Sequence, residues 1–73
     1  MKFVPERIEV AAGDTIVWTN KDFLPHTVTA AQSKVESGDL AANKSFSFVA
    51  RNKGEMQYIC RLHPVMRGVV VVK

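Results

Sequence analysis

Apolar and polar residues alternate along most of this 73-residue chain with a period of two, the spacing typical of half-buried β-strands. Turn sequences, AGD at 12–14 and NKG at 52–54, separate some of these segments. The final VVVV at 69–72 does not alternate, which indicates a strand covered on both faces. The alternating segments are RIEV, TIVWT, HTVTA, SFSFV and EMQYIC, beginning at residues 7, 15, 26, 45 and 55.

The segment between the third and fourth of these predicted strands is polar and rich in small residues. It reads AQSKVESGDLAANK, residues 31–44, and predicts a loop with at most a helical turn. Several short strands at near-regular spacing, with no long helical stripe, predict an all-β fold, a Greek-key β-sandwich. The length allows one domain, so residues 1–73 are predicted to form a single unit.

Charge and hydropathy exclude two classes of partner. Ten Lys and Arg residues against seven Asp and Glu residues give a net charge of +3, and the basic residues are scattered rather than clustered. No nucleic-acid surface is therefore predicted. The longest apolar run, GVVVV at 68–72, is too short to span a membrane. The N-terminus lacks a charged-then-apolar leader, so we expect that any export signal has been removed.

The chain's single cysteine lies in the sequence CRLHPVM, residues 60–66, which puts a thiol, an imidazole and a thioether on one short turn. Alternation places Cys60 on the inward face at the end of one strand and His26 on the apolar face of another. Two strands can therefore bring an imidazole and a thiolate to one end of the sandwich. The turn after Cys60 then returns His63 and Met66 to the same point.

This set of candidate ligands is chemically selective. Soft thiolate and thioether with two imidazoles suit copper in both oxidation states. Zinc gains little from a thioether, and hard cations need carboxylates, which the turn lacks. A metal also suits a domain this small, because its single cysteine cannot form an internal disulfide. Two His, one Cys and a weak axial Met are the arrangement of blue-copper electron-transfer sites.

Other functions remain open at this point. Singly, each candidate could be an ordinary core residue, and a Cys–His pair could be a nucleophile with its base, although no orienting third group is evident. The chain could be a copper domain excised from a larger oxidoreductase, a copper-carrying or storage protein, or a metal-free sandwich. An enzyme is disfavoured, because both histidines are used in one site and none is left for a second, substrate-binding copper.

Most of the chain resembles the cupredoxins, the small type 1 blue copper proteins. FVPERIEVAAGDTIVWTNKDFLPHTVTA is similar to their first half, and ESGDLAANKSFSFVARNKGEMQYICRLHPVMRGVVVVK to their second. The Cys-x2-His-x2-Met spacing resembles that of amicyanin-type members, whereas plastocyanin and pseudoazurin place more residues between His and Met. The resemblance implies that a single copper ion is bound by His26, Cys60, His63 and Met66.

The same resemblance implies a small soluble electron carrier that cycles between Cu(II) and Cu(I). Its protein redox partners would dock near His63, and it would be periplasmic or otherwise exported. An apolar collar is predicted around His63 from the two ligand loops, residues 23–25 and 62–65. Arg61 and Arg67 are candidates for steering an acidic partner.

Three features depart from the family pattern. Thr27 follows the first ligand where these proteins commonly have Asn, whose side chain ties the two ligand loops together. Arg61 and Leu62 replace the small residue and proline common between Cys and His. The usual one or two additional N-terminal strands are absent, which indicates either a minimal version of the fold or a trimmed chain. A trimmed sandwich would expose a strand edge.

Overall fold

The computed structural model describes residues 2–73, which form two β-sheets packed as a sandwich. One sheet has five strands in the order β1-β7-β6-β3-β4, and the other pairs β2 with β5. A single 3-10 turn lies between β3 and β4, at Ala31–Ser33. The strands are β1 (Arg7–Val10), β2 (Thr15–Thr19), β3 (Thr29–Ala30), β4 (Val35–Glu36), β5 (Ser45–Val49), β6 (Gly54–Cys60) and β7 (His63–Val72).

The predicted all-β sandwich is confirmed, and three of its strands have the predicted bounds. The prediction for HTVTA was wrong in part, because only Thr29–Ala30 are in a strand. Thr27 is as buried as its neighbours, so the inward–outward alternation stops there. The predicted helical turn in the 31–44 loop is present at Ala31–Ser33, but the prediction missed β4 in the same segment.

Strand β7 is longer than its apolar end suggested, because it begins at His63 in the metal-site turn. It lies between β1, to which it is parallel, and β6, to which it is antiparallel. Val70 and Val72 are buried, whereas Val69 and Val71 are half-buried. The continuous valine run thus belongs to an interior strand of the larger sheet, covered in part on its second face.

Tyr58 of β6 joins the two sheets beneath the metal-site end. Its ring makes edge contacts with Trp18 of β2, at a centroid distance of 5.3 Å, and with Phe3, at 4.8 Å. Gly68 of β7 lies opposite Tyr58 in the register, and a β-carbon there would overlap the phenol ring. A residue without a side chain is therefore needed where β7 crosses the aromatic cluster.

The smaller sheet has two open edges in the described residues. Within residues 2–73, β2 and β5 pair only with each other, so each has an outer edge that no strand covers. Val17 on β2 is 60% exposed. The described part of the chain contains no helix long and apolar enough to cross a membrane.

Candidate metal centre

The sulfur and nitrogen donors converge at one end of the larger sheet. Strands β3 and β6 are neighbours through the Thr29–Ile59 pair, and β6 ends at Cys60. The chain reverses at once into β7, where His63 pairs with Cys60 across a register shift. His26 reaches the same end just before β3. One donor atom from each of Cys60, His63 and His26 lies within 4.8 Å of the other two.

The spacing of these three donors fits one metal ion. Sγ of Cys60 lies 3.6 Å from Nδ1 of His26 and 3.9 Å from Nδ1 of His63. Metal–sulfur and metal–nitrogen bonds of about 2.3 Å and 2.0 Å, at a trigonal angle, would separate S from N by about 3.7 Å. The three donor atoms are therefore spaced as the ligands of one metal ion would be. Both imidazoles present Nδ1 to the sulfur.

Met66, the fourth predicted ligand, is buried three residues after His63 on β7. Its side chain lines the same cavity as His26. Its role as a ligand stays a prediction.

His26 is held in place by a backbone bridge and by a carboxylate. Its N–H donates to the carbonyl of Leu40 at 3.1 Å, and the N–H of Leu40 donates to the carbonyl of His26 at 2.7 Å. Oδ2 of Asp22 lies 3.1 Å from Nε2 of His26. Because an ionised carboxylate only accepts, Nε2 carries the proton toward Asp22, and Nδ1 faces the sulfur.

Asp22 in turn depends on Asn20, a buried residue that sequence reasoning did not single out. Oδ1 of Asn20 accepts the N–H of Asp22 at 2.8 Å. Its Nδ2 donates to the carbonyls of Leu24 and Leu40, both at 2.8 Å. The Asn20 side chain therefore fixes the loop that carries the carboxylate. The sequence signal that could have identified Asp22 is its position, four residues before His26.

The thiol of Cys60 is fully buried but surrounded by donors. The N–H of Thr27 donates to Sγ at 3.4 Å. Burial raises the pKa of Cys60, but hydrogen bonds from the Thr27 N–H, His26, His63 and the Leu62 N–H outweigh it and lower the pKa from 9.0 to about 6. Burial lowers the pKa of His26, whereas hydrogen bonds to Asp22 and Cys60 raise it above 6.5 overall. The site therefore favours the Cys60 thiolate that a metal needs, whereas the raised pKa of His26 favours a proton on Nδ1 that a metal has to displace.

We expect the metal-free protein to form the Cys60 thiolate with a midpoint near pH 6 rather than near 9. The cause is stabilisation of the anion by the hydrogen bonds that converge on the sulfur. Thiolate absorbance in the ultraviolet, followed against pH, measures it, with Cys60→Ser as the blank. A midpoint near 9 would contradict this description of the sulfur environment.

Arg61 and Glu36 form an ion pair beside the site. Nε of Arg61 donates to Oε1 of Glu36 at 2.8 Å, and Nη2 donates to Oε2 at 3.1 Å. These hydrogen bonds, followed by one from the Gly38 N–H, lower the pKa of Glu36 to about 2. Since the Arg61 guanidinium is already paired, Arg67 is the better of the two predicted candidates for steering a partner.

The two ligand loops present apolar side chains to solvent at this end. Phe23 is 86% exposed and Val65 is 85% exposed, and Leu24 and Leu62 are exposed as well. His63 is half-buried and begins β7, rather than lying in a loop as predicted. These members of the predicted collar are therefore exposed, and we call them, together with His63, the His63 patch (residues 23–24, 62–63 and 65).

A fold of two β-sheets, with a thiolate and two imidazoles at one end, is the architecture of small copper proteins. The family model described as "Cupredoxin-like domain" matches residues 1–72, so the chain belongs to the cupredoxin family. It is 36% identical over 78 residues to amicyanin-alpha of Methylorubrum extorquens, covering 100% of this chain and 66% of that protein. It is 34% identical over 76 residues to the chloroplastic plastocyanin of Fritillaria agrestis, covering 86% and 46%.

Solved structures agree with this relationship. The structure of an oxidised amicyanin variant superposes on the whole chain with a TM-score of 0.95 at 29% identity, and the chain covers 74% of it. The chain thus spans just under two thirds of the M. extorquens amicyanin and about three quarters of the solved amicyanin.

Proposed function

We propose that this protein is a small electron carrier in which His26, Cys60, His63 and Met66 hold one copper ion. The observation that carries the proposal is the convergence of one thiol and two imidazole nitrogens within 4.8 Å of one another. Cupredoxin membership and similarity to amicyanins support copper as the ion. Bound there, copper would supply a one-electron Cu(II)/Cu(I) couple.

The side chains of the site suit electron transfer because hydrogen bonds and strand pairing hold them in place. His26 is fixed by Leu40 and Asp22, and Cys60 and His63 are paired across adjoining strands. A donor set held by paired strands keeps its geometry when the charge of the site changes. The Cys60 thiolate would be the strong donor to copper, and the thioether of Met66, as a weak donor, would favour the reduced state.

The direct test is to add Cu(II) to the metal-free protein and record its visible and electron-spin spectra. An intense absorption with stoichiometric uptake supports a thiolate-ligated copper site. Binding without that absorption contradicts the electron-carrier proposal and favours the copper-carrying or storage alternative. Absence of binding favours a metal-free sandwich.

Asp22→Asn is expected to weaken copper affinity by roughly 10–100-fold. The carboxylate that fixes the tautomer of His26 and makes Nδ1 more basic is replaced by a neutral amide. The loss of donation should also raise the reduction potential. Equilibrium titration against a competing chelator, together with voltammetry, measures both effects.

Asp14→Asn is the matched control, because Asp14 accepts a main-chain N–H in the β1–β2 turn and contacts none of the candidate ligands. Equal losses in the two variants would show that Asp22 has no special role at the metal site.

The proposal includes docking of redox partners at the His63 patch. An apolar surface around a half-buried imidazole gives a short path to the site, and electron-transfer encounters use small interfaces. The identity of the partners and the predicted periplasmic or exported location remain proposals. Cell fractionation and capture of partners on the copper-loaded protein would test them.

Val65→Glu is expected to slow electron self-exchange between copper-loaded copies by about tenfold. Two copies meeting through the His63 patch would bring two carboxylates together where apolar surfaces met before. Line broadening in a mixture of the oxidised and reduced forms measures the rate.

Asn52→Glu adds the same charge in the β5–β6 turn, outside the His63 patch, and serves as control. Similar slowing in both variants would show that net charge, rather than the patch, controls the encounter.

A further inference from the structure

The buried hydroxyl of Thr27 links the two ligand loops. Thr27 follows His26, and its side chain is fully buried. The N–H of Arg61, the residue after Cys60, donates to Oγ1 of Thr27 at 2.8 Å. A second oxygen, Oγ1 of Thr29, lies 3.0 Å away. The Thr27 hydroxyl therefore makes the link between the two loops that an Asn side chain commonly makes in this family.

The direction of these hydrogen bonds is fixed by Glu36. Its carboxylate can only accept, so Thr29 donates its hydroxyl proton to Oε1 at 2.9 Å. With that proton used, the Thr29 oxygen accepts from the Thr27 hydroxyl. The order is thus Arg61 N–H to Thr27, Thr27 to Thr29, and Thr29 to Glu36.

The chain of bonds closes on itself, because the same carboxylate holds the guanidinium of Arg61. We call these four residues, Thr27, Thr29, Glu36 and Arg61, the Glu36 ring. Because the chain of hydrogen bonds ends at the Glu36 carboxylate, the negative charge polarises both hydroxyl groups toward it. This polarisation makes the Thr27 oxygen a better acceptor for the Arg61 N–H. The ring thereby fixes the residue that follows each of two candidate ligands.

The ring also bears on the sulfur, because the backbone N–H of Thr27 donates to Sγ of Cys60. Hydrogen bonds to the cysteine sulfur are among the features that tune blue-copper potentials. A loosened Thr27 would weaken this bond, leave more electron density on the thiolate and stabilise Cu(II).

We propose that Glu36 is a positioning residue that acts through Thr29, Thr27 and Arg61 to hold the N–H···S bond to Cys60, and so sets the reduction potential of the copper site. This proposal rests on the electron-carrier function proposed above. Glu36 touches none of the candidate ligands itself. Its exposed ion pair with Arg61 contributes little stability, so its effect should appear mainly in the electronic properties of the site.

The experiment compares Glu36→Gln, Thr29→Val and Thr27→Val with the parent, and Thr27→Ser as the rescue that keeps the hydroxyl. Glu9→Gln is the matched control: Glu9 also forms ion pairs, with Arg7 at 2.7 Å and Lys73 at 3.4 Å, and is as exposed as Glu36. In the metal-free protein, hydrogen exchange at the Thr27 and Arg61 amides is followed by NMR. Copper-loaded samples give the potential and the thiolate-to-copper absorption.

Exchange at both amides should be on the order of fivefold faster in Glu36→Gln, Thr29→Val and Thr27→Val, and near parental in Thr27→Ser and Glu9→Gln. The potential should fall in the first three variants, with a shifted absorption band, and return in Thr27→Ser. The double variant Glu36→Gln, Thr27→Val should shift the potential by less than the sum of the single shifts.

Faster exchange with an unchanged potential would overturn the proposal and leave a merely structural ring. Unchanged exchange in Glu36→Gln would overturn it as well. A parent that binds no copper would contradict the proposed function instead. The Thr27 amide would then decide the positioning claim, since faster exchange in Glu36→Gln supports it and parental exchange contradicts it.

Discussion

Replacing Cys60 with serine is expected to abolish the intense visible absorption of the Cu(II)-loaded protein. That absorption requires charge transfer from a thiolate, and the chain has no other cysteine. Serine keeps the size and position of the side chain, but its hydroxyl stays protonated at neutral pH and is a hard donor. We expect loss of essentially all of the colour and at least about a hundredfold loss of Cu(II) affinity.

Measurement of this result needs a folded variant and a matched control. The sulfur of Cys60 accepts only weak hydrogen bonds, so serine can take the N–H of Thr27 without an unpaired group. Circular dichroism of the metal-free variant checks the fold. Met56→Leu alters another buried sulfur on β6 and should keep its colour. A coloured Cys60→Ser variant would exclude the assignment of Cys60 as a copper ligand.

The bounds of β2 and β5 could be predicted from sequence because these strands pair with each other and each has one face on the core. Ile16 and Trp18 point inward from β2, as Phe46 and Phe48 do from β5. The same logic failed at Thr27, which is buried through hydrogen bonds rather than apolar contact. Strand β4 was missed because two residues are too few to show a period.

The candidate site was predictable where its residues are close in sequence or few in number. Cys60 and His63 share one turn, and His26 is the only other histidine. Glu36 was not predictable, because it meets Arg61 across 25 residues and only when β4 folds back on β3. The role of Asp22 likewise depends on the loop that Asn20 fixes. Residues that position ligands are recognised by contacts, which sequence spacing does not contain.

Copper binding should strongly stabilise the fold. A 73-residue sandwich buries little apolar surface, and its smaller sheet has two uncovered edges in the described residues. A ligand that binds only the folded state at a hundredfold excess over its Kd adds about 2.7 kcal/mol to the free energy of unfolding. For a domain of this size, that corresponds to a rise in Tm of roughly 10–20 °C.

Thermal unfolding followed by circular dichroism, with and without Cu(II), measures this rise, and a strong chelator should reverse it. The double variant His26→Ala, Cys60→Ser lacks two of the converging donors, so copper should leave its Tm nearly unchanged. An equal rise in parent and double variant would place the bound copper elsewhere on the protein. A parent with no rise at all would show that metal binding does not stabilise the fold. That outcome would contradict the expectation from the structure, in which the donors come from β6, β7 and the segment before β3. Because those donors meet only when the strands pair, we expect the metal to hold together the elements that the small core joins weakly.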